Sequence, residues 1–133
     1  MRAVTAGQAP SLADIEALAT HALEGLPRRF KRQLGPVAIR VEDFPDADTE
    51  AAMALDSPFD LLGLYRGIAL PHRSVSEPQP ATDMIFLYRR PILDYWCDSG
   101  DDLFDVVRHV LIHEIGHHFG FSDADMARIE GSG

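Results

Sequence analysis

The stretch that most constrains the fold is HEIGHHFGFSD, His113 to Asp123, which follows a run of apolar residues at helical spacing. Residues four apart on an α-helix differ by about 40° around the axis and by one turn along it. His113 and His117 can therefore bring both imidazoles to one metal ion. Glu114 lies about 100° from His113. It is poorly placed as a third ligand but can reach a water on the metal, which is the position of a general base.

The residues after His117 offer a third ligand. Gly120 permits a sharp turn at the end of the helix. Asp123 follows that turn, so its carboxylate can return to the same ion. Catalytic zinc takes three protein ligands and keeps one position for water. The alternative role of Asp123 is to cap the last helix, which aspartate does well.

Two further histidines lie on the same predicted helix. His118 points about 100° away from His117, and we interpret it as a surface residue or as a contact to a ligand. His109 lies four residues before His113, at the edge of the same face. We expect a boundary histidine with satisfied hydrogen bonds, and contact with His113 is the alternative.

The rest of the chain predicts a small α+β domain over residues 1–133, with its core at about 35–130. Ser11 caps a first helix that ends near Pro27 or continues weakly to Leu34. The other predicted elements are strands over 37–41, 61–70 and 84–93, a helix over 49–55, a loop over 71–82, a turn over 98–101 and helices over 103–119 and 123–129. Pro91 near the end of the Met84–Leu93 strand favours an edge position in the sheet.

Composition excludes several classes of function. The chain has 133 residues and a net charge of −9, whereas non-specific nucleic-acid binding requires clustered cations. The single cysteine, Cys97, suits a reducing compartment, and we expect a buried thiol. The first residues show no pattern typical of a signal peptide, and no apolar stretch approaches the roughly 20 residues of a membrane span. We expect a cytoplasmic protein.

Three stretches carry a resemblance to a known family: SPFDLLGLYRGIAL (57–70), MIFLYRRPIL (84–93) and VLIHEIGHHFGFSDADM (110–126). With its HExxHxxGxxD pattern, the chain resembles the zincin metallopeptidases, and more closely the small bacterial minimal-zincin family, over about residues 35–130. The resemblance implies a zincin-like domain with a short mixed sheet, an N-terminal helix and an active-site helix.

The resemblance also implies a site and a reaction. His113, His117 and Asp123 would be Zn²⁺ ligands, and Glu114 would be the general base for hydrolysis of peptide bonds by a zinc-activated water. The strand around Met84–Arg90 would be the edge strand above the cleft, and an extended peptide would pair with it by β-augmentation.

The chain departs from larger zincins in several ways. Only ten residues follow Asp123, so no Met-turn can be placed, and we interpret Met126 as a core residue of the last helix. A downstream glutamate ligand of the thermolysin kind is nearly excluded, because Glu130 is its only candidate. The side chains available to stabilise an oxyanion are interpreted as structural: Tyr65, Tyr88 and His72.

Two other functions are considered. A bacterial endoribonuclease family that processes ribosomal RNA has the same histidine spacing, HxxxHxxxxxH. Glu114, Asp123 and the acidic pI of about 4.9 argue against it. The second is a non-catalytic zincin scaffold that binds a peptide or a protein. The small size of the domain favours this module, whereas the complete set of base and ligands favours a peptidase.

Overall fold

The computed structural model describes residues 8–67 and 83–131. Within those ranges the chain forms α-helices, one short 3-10 helix and a three-stranded sheet, which confirms the predicted α+β class. In chain order the elements are α1 (Leu12–Glu24), α2 (Arg28–Leu34), β1 (Val37–Glu42), α3 (Ala47–Ala52), the 3-10 helix (Pro58–Asp60), β2 (Gly63–Arg66), β3 (Asp83–Tyr88), α4 (Arg89–Ser99), α5 (Leu103–Phe119) and α6 (Asp123–Gly131).

The sheet is mixed, as expected, but its strand order differs from the prediction. The order is β1-β3-β2, with β1 parallel and β2 antiparallel to β3. β1 pairs with all six residues of β3, and β2 pairs with β3 from Met84 to Leu87. The prediction that the Met84–Leu93 strand lies at an edge is therefore wrong. A peptide cannot pair with β3 by β-augmentation, because both of its sides are occupied.

Pro91 misled the sequence analysis because proline is tolerated in two settings. It lies in the first turn of α4, where the N–H groups have no partner within the helix, so its missing donor costs no helical hydrogen bond. The strand ends at Tyr88 and not at the predicted Leu93. α4 follows and runs on into the predicted turn at residues 98–101, where Gly100 ends it in the left-handed conformation with φ 74°. Cys97 lies on α4 and is exposed, so the expected buried thiol is wrong.

The first part of the chain follows the prediction more closely. Ser11 caps α1 in a reciprocal box with Asp14, since each side chain accepts the backbone N–H of the other residue. The chain then breaks at Pro27 into the separate helix α2. α3 begins two residues before its prediction, because the Asp46 carboxylate accepts the Thr49 N–H at 2.7 Å and caps it there.

The core lies between α1, α5 and the sheet. α5 packs its apolar side against α1 and β2, and its buried residues include Val107 and Leu111, both with no exposed surface. From the sheet, Ile85 and Leu87 are equally inaccessible. Truncating one of these side chains to alanine would cost about 2–5 kcal/mol. The helix that carries the histidine motif is therefore a rigid part of the core.

α6 packs against α5 as an antiparallel helical hairpin. Gly120 ends α5 in the left-handed conformation with φ 71°, and the Phe121 N–H donates to the Gly116 carbonyl at 2.8 Å. Met126 then packs directly on Gly116, where a β-carbon would overlap the methionine sulfur. Met126 is 4% exposed, so its predicted place in the core is confirmed.

Two predictions fall partly or wholly outside the described residues. The second strand is described as Gly63–Arg66, and residues 68–70 of its prediction are not described. The predicted loop over 71–82 also lies outside them. No helix in the described ranges is both long and apolar enough to cross a bilayer.

Candidate active site

One face of α5 carries His109, His113 and His117, one helical turn apart. We call these three residues the histidine ladder. The ring centroids of His109 and His113 are 4.1 Å apart, and those of His113 and His117 are 5.9 Å apart. The ladder borders a cleft of about 300 Å³, whose other lining residues are Asp60, Leu61, Leu62, Gly63, Tyr95, Val110 and Glu114.

His113 is the middle rung of the ladder. Partial burial lowers its pKa first, and the neighbouring His109 and His117 lower it further, while the Glu130 and Asp123 carboxylates act in the opposite direction. A lowered pKa keeps the imidazole neutral near pH 7, and a metal ligand must be neutral.

Glu114 connects α5 to β2. Burial raises the pKa of its carboxyl, and this effect exceeds the lowering by His117 and by a hydrogen bond from the Tyr65 backbone N–H. Gly63 makes this approach feasible, because a β-carbon there would lie 3.3 Å from the Glu114 Cγ and 2.9 Å from the Val110 Cγ1. The glycine at 63 thus gives the carboxylate access to the strand.

Gly67 leaves room in the same way for His118. A β-carbon at 67 would lie 2.6 Å from the His118 Cε1. The His118 ring also stacks on Tyr65, with centroids 4.0 Å apart. His118 therefore contacts β2 and its flank.

Tyr65 and Tyr88, the two tyrosines considered as oxyanion partners, are both buried. The Tyr65 hydroxyl donates to the Asp83 Oδ2 at 2.7 Å, and burial followed by that carboxylate raises the pKa of Tyr65 well above its usual value. Tyr88 is 2% exposed, and burial raises its pKa as well. His72 lies outside the described residues.

Asp123 is the first residue of α6 and is exposed. The N-cap of this helix is Ser122, whose hydroxyl accepts the Asp125 N–H at 3.1 Å while its own N–H donates to the Asp125 carboxylate at 3.2 Å. Ser122, and not Asp123, is therefore the N-cap of α6. The Asp123 carboxylate lies close enough to His113 to influence its pKa.

Comparison with known proteins places this site in a family. A family model described as zincin-like metallopeptidase matches residues 34–132. The chain belongs to the zincin-like metallopeptidase family. The matched range includes the sheet, the histidine ladder and α6, and it agrees with the resemblance found in the sequence. No match was found among curated proteins.

Membership of the zincin-like family implies zinc binding, and the donor chemistry of the site fits that metal. Imidazole nitrogens and carboxylate oxygens are ligands that zinc takes. Within residues 8–67 and 83–131, the three such groups that lie close together are His109, His113 and Glu130, with one ligand atom from each within 4.8 Å of the others. This set shares only His113 with the predicted ligands.

His109 and Glu130, neither of them a predicted ligand, lie close to His113 in the structure. The His109 Nδ1 lies 2.6 Å from the Glu130 Oε1, so His109 has the satisfied hydrogen bond that was expected and also the alternative contact with His113. The spacing of His109 and His113 repeats that of His113 and His117, which was a usable signal. The position of Glu130 depends on how α6 packs, which no local pattern reveals.

Proposed function

We propose that this zincin-like protein is a zinc-dependent peptidase in which Glu114 is the general base. One observation carries the proposal: a partly buried carboxylate with a raised pKa lies in the same cleft as two histidines one helical turn apart. A raised pKa brings the basicity of Glu114 closer to neutrality, where proton transfer is most effective.

The proposed roles follow from the side chains. His113, His117 and Asp123 would hold the zinc ion. When bound, zinc would polarise the scissile carbonyl and acidify a water in the cleft. Glu114 would act as the general base, taking a proton from water in the cleft and returning it to the leaving amine. The hydrogen bond from the Tyr65 N–H keeps the Glu114 side chain directed between α5 and β2.

The substrate would be an extended peptide, bound at a different strand from the one first expected. β2 is the outer strand on its side of the described sheet, and Gly63 at its start lines the cleft. The Tyr65 N–H contacts Glu114, so this backbone lies beside the proposed base. The Tyr65 N–H already donates to Glu114, so a peptide would bond to other main-chain groups of β2 and would pass next to Glu114 and His113.

One observation favours a second function, a peptide-binding module without hydrolysis. The Glu114 carboxylate accepts the Tyr65 N–H and links α5 to β2, which is also the arrangement of a carboxylate with a purely structural role. In that case the protein would bind extended peptides along β2 and leave them intact.

The test is cleavage of a peptide library by the zinc-loaded chain. We expect cleavage by the parent and a loss of about 10²–10⁴-fold with Glu114→Gln, since the amide cannot accept the proton. Zinc content and melting temperature should remain unchanged, because no ligand is removed. Glu16→Gln on α1, which makes the same change at an exposed position, is the control.

The outcomes separate the two functions. If both the parent and Glu114→Gln bind peptides from the library and neither cleaves them, the module is correct and the peptidase proposal fails. If Glu114→Gln loses zinc, Glu114 is a ligand and its role as base is wrong.

A further inference from the structure

The α5–α6 hairpin presents more metal-ligating groups than the proposed zinc ligands use. α5 carries the three histidines of the ladder, and the antiparallel α6 carries a carboxylate near each end, Asp123 and Glu130. Asp123 follows the turn that comes after His117, whereas Glu130 lies against His109. The middle rung, His113, is next to both outer histidines.

We propose that His109, His113 and Glu130 form a second metal-binding position, for a divalent transition metal such as zinc. One ligand atom from each of the three lies within 4.8 Å of the others. Two imidazoles and a carboxylate match the preferences of zinc and its neighbours in the first transition row. Ligand atoms around a tetrahedral zinc lie roughly 3.3 Å apart, given its bond lengths. Small rotations of these partly exposed side chains would bring the three ligand atoms to the separation that a bound zinc ion requires.

The protein holds Glu130 in place through a contact that involves no metal. The Arg108 guanidinium donates to the carbonyls of Ile129 and Glu130, both at 2.8 Å. Ile129 is 3% exposed and packs in the core. The backbone that carries Glu130 is therefore fixed against α5 from two directions. A position built on rigid elements loses less entropy when it binds a ligand than one built on a free end.

Because His113 belongs to both sets, the two positions compete for it. Removing His117 disrupts the proposed zinc site, which it forms with Asp123, and leaves the second position intact. Removing His113 disrupts both. This asymmetry distinguishes the second position from the site of the proposed peptidase, and its test requires no peptidase activity.

The experiment is calorimetric titration of the metal-free full chain with Zn²⁺ alone, using His117→Ala as the background. We expect this variant to bind one zinc per chain, and to bind it more weakly than the parent. Adding Glu130→Gln or His109→Asn should weaken binding further, by more than about tenfold, the lower end of what losing even an outer partner of a metal site costs. Adding Glu16→Gln, a matched change at an exposed position of α1, should have no effect.

A second readout is the rise in melting temperature on adding Zn²⁺. His117→Ala should show a rise, and its combination with Glu130→Gln should show little or none. If that combination does not fold, His109→Asn provides the same comparison from the other helix. Two results would overturn the proposal. One is that His117→Ala binds no zinc, which leaves His109 and Glu130 as a hydrogen-bonded pair only. The other is that neither second substitution changes zinc binding.

Discussion

The two ends of the α5–α6 hairpin carry similar chemical groups in different settings. At the turn end, His117 and Asp123 are exposed, and Ser122 rather than Asp123 caps α6. At the far end, His109 and Glu130 are already in contact at 2.6 Å. The turn end carries the recognisable motif, and the far end carries the ready-made contact.

The difference concerns what each end needs in order to bind a metal. Asp123 lies outside the close set formed by His109, His113 and Glu130, so the turn end would gather its ligands on binding. At the far end, the Arg108 contacts fix Glu130 beforehand. A sequence motif thus specifies which groups can bind, while packing decides which of them are brought together without the metal.

The largest expected effect comes from removing the residue that both ends share. His113→Ala should weaken zinc binding by more than about a hundredfold, beyond what the loss of an outer partner costs. His21→Ala on α1 is the matched control and should bind zinc like the parent. Calorimetric titration measures both. Unchanged zinc affinity in His113→Ala would show that neither end of the hairpin binds zinc through His113.

The next prediction separates metal binding from capping at the turn end. Asp123→Asn should weaken zinc binding by about tenfold or more, because a neutral amide is a poor ligand. Its melting temperature should hardly change, since Asp123 is not the cap. Ser122→Ala should do the reverse, losing about 1 kcal/mol of stability while keeping zinc.

Competition with a chelator measures the zinc affinity of the two variants, and thermal melts measure their stability. If Asp123→Asn holds zinc as tightly as the parent, the turn end does not supply the third ligand.

A smaller effect is expected when the far end is loosened. Arg108→Gln removes charge-assisted hydrogen bonds to the Ile129 and Glu130 carbonyls, and we expect a loss of about 1 kcal/mol in the free energy of unfolding. Urea denaturation measures this. In the His117→Ala background, the same substitution should also weaken zinc binding, because Glu130 is then no longer fixed. Equal zinc affinity with and without Arg108 would show that zinc binding at the far end does not depend on the contacts that hold Glu130.

The smallest expected effect concerns the pH dependence of stability at Asp46, an aspartate that caps α3 away from the hairpin. Hydrogen bonds from Thr49 lower the pKa of Asp46 below its usual value of 3.8. The ionised cap therefore contributes stability above that pH, and the contribution is lost as the pH falls through the lower folded value. Asp46→Asn keeps the cap without the charge, so its stability should fall less between pH 5 and pH 2. Parallel acid denaturation curves for the two proteins would contradict this.

How far the sequence predicted the molecule depended on whether the deciding contacts were local. The spacing of His113 and His117, the Ser11 cap and the Gly120 turn were all readable, because each rests on residues within one or two helical turns. The central position of β3 was not readable, because it depends on pairing with β1, far away in the chain. Pro91 fits both an edge strand and the first turn of a helix, and only the packing of α4 distinguishes them.

The candidate site shows the same division. Glu114 was assigned from its position beside His113, but its contact with the Tyr65 N–H requires β2 to lie against α5. The glycines at 63 and 67 have no role that a local sequence pattern could assign. They are places where Glu114 and His118 come close to the strand.

The central place of β3 has a consequence for the order of folding. β3 pairs with β1 across a long stretch of chain, whereas α5 and α6 are joined by a short turn. Contacts that are local in sequence form faster than distant ones. We therefore expect the histidines and carboxylates of the hairpin to assemble before the sheet brings the Tyr65 N–H to Glu114. Pulse-labelled hydrogen exchange should show α5 amides protected earlier than those of β3. Glu114 would then already lie beside the assembled metal-ligating groups, and burial would raise its pKa only when β2 packs against α5.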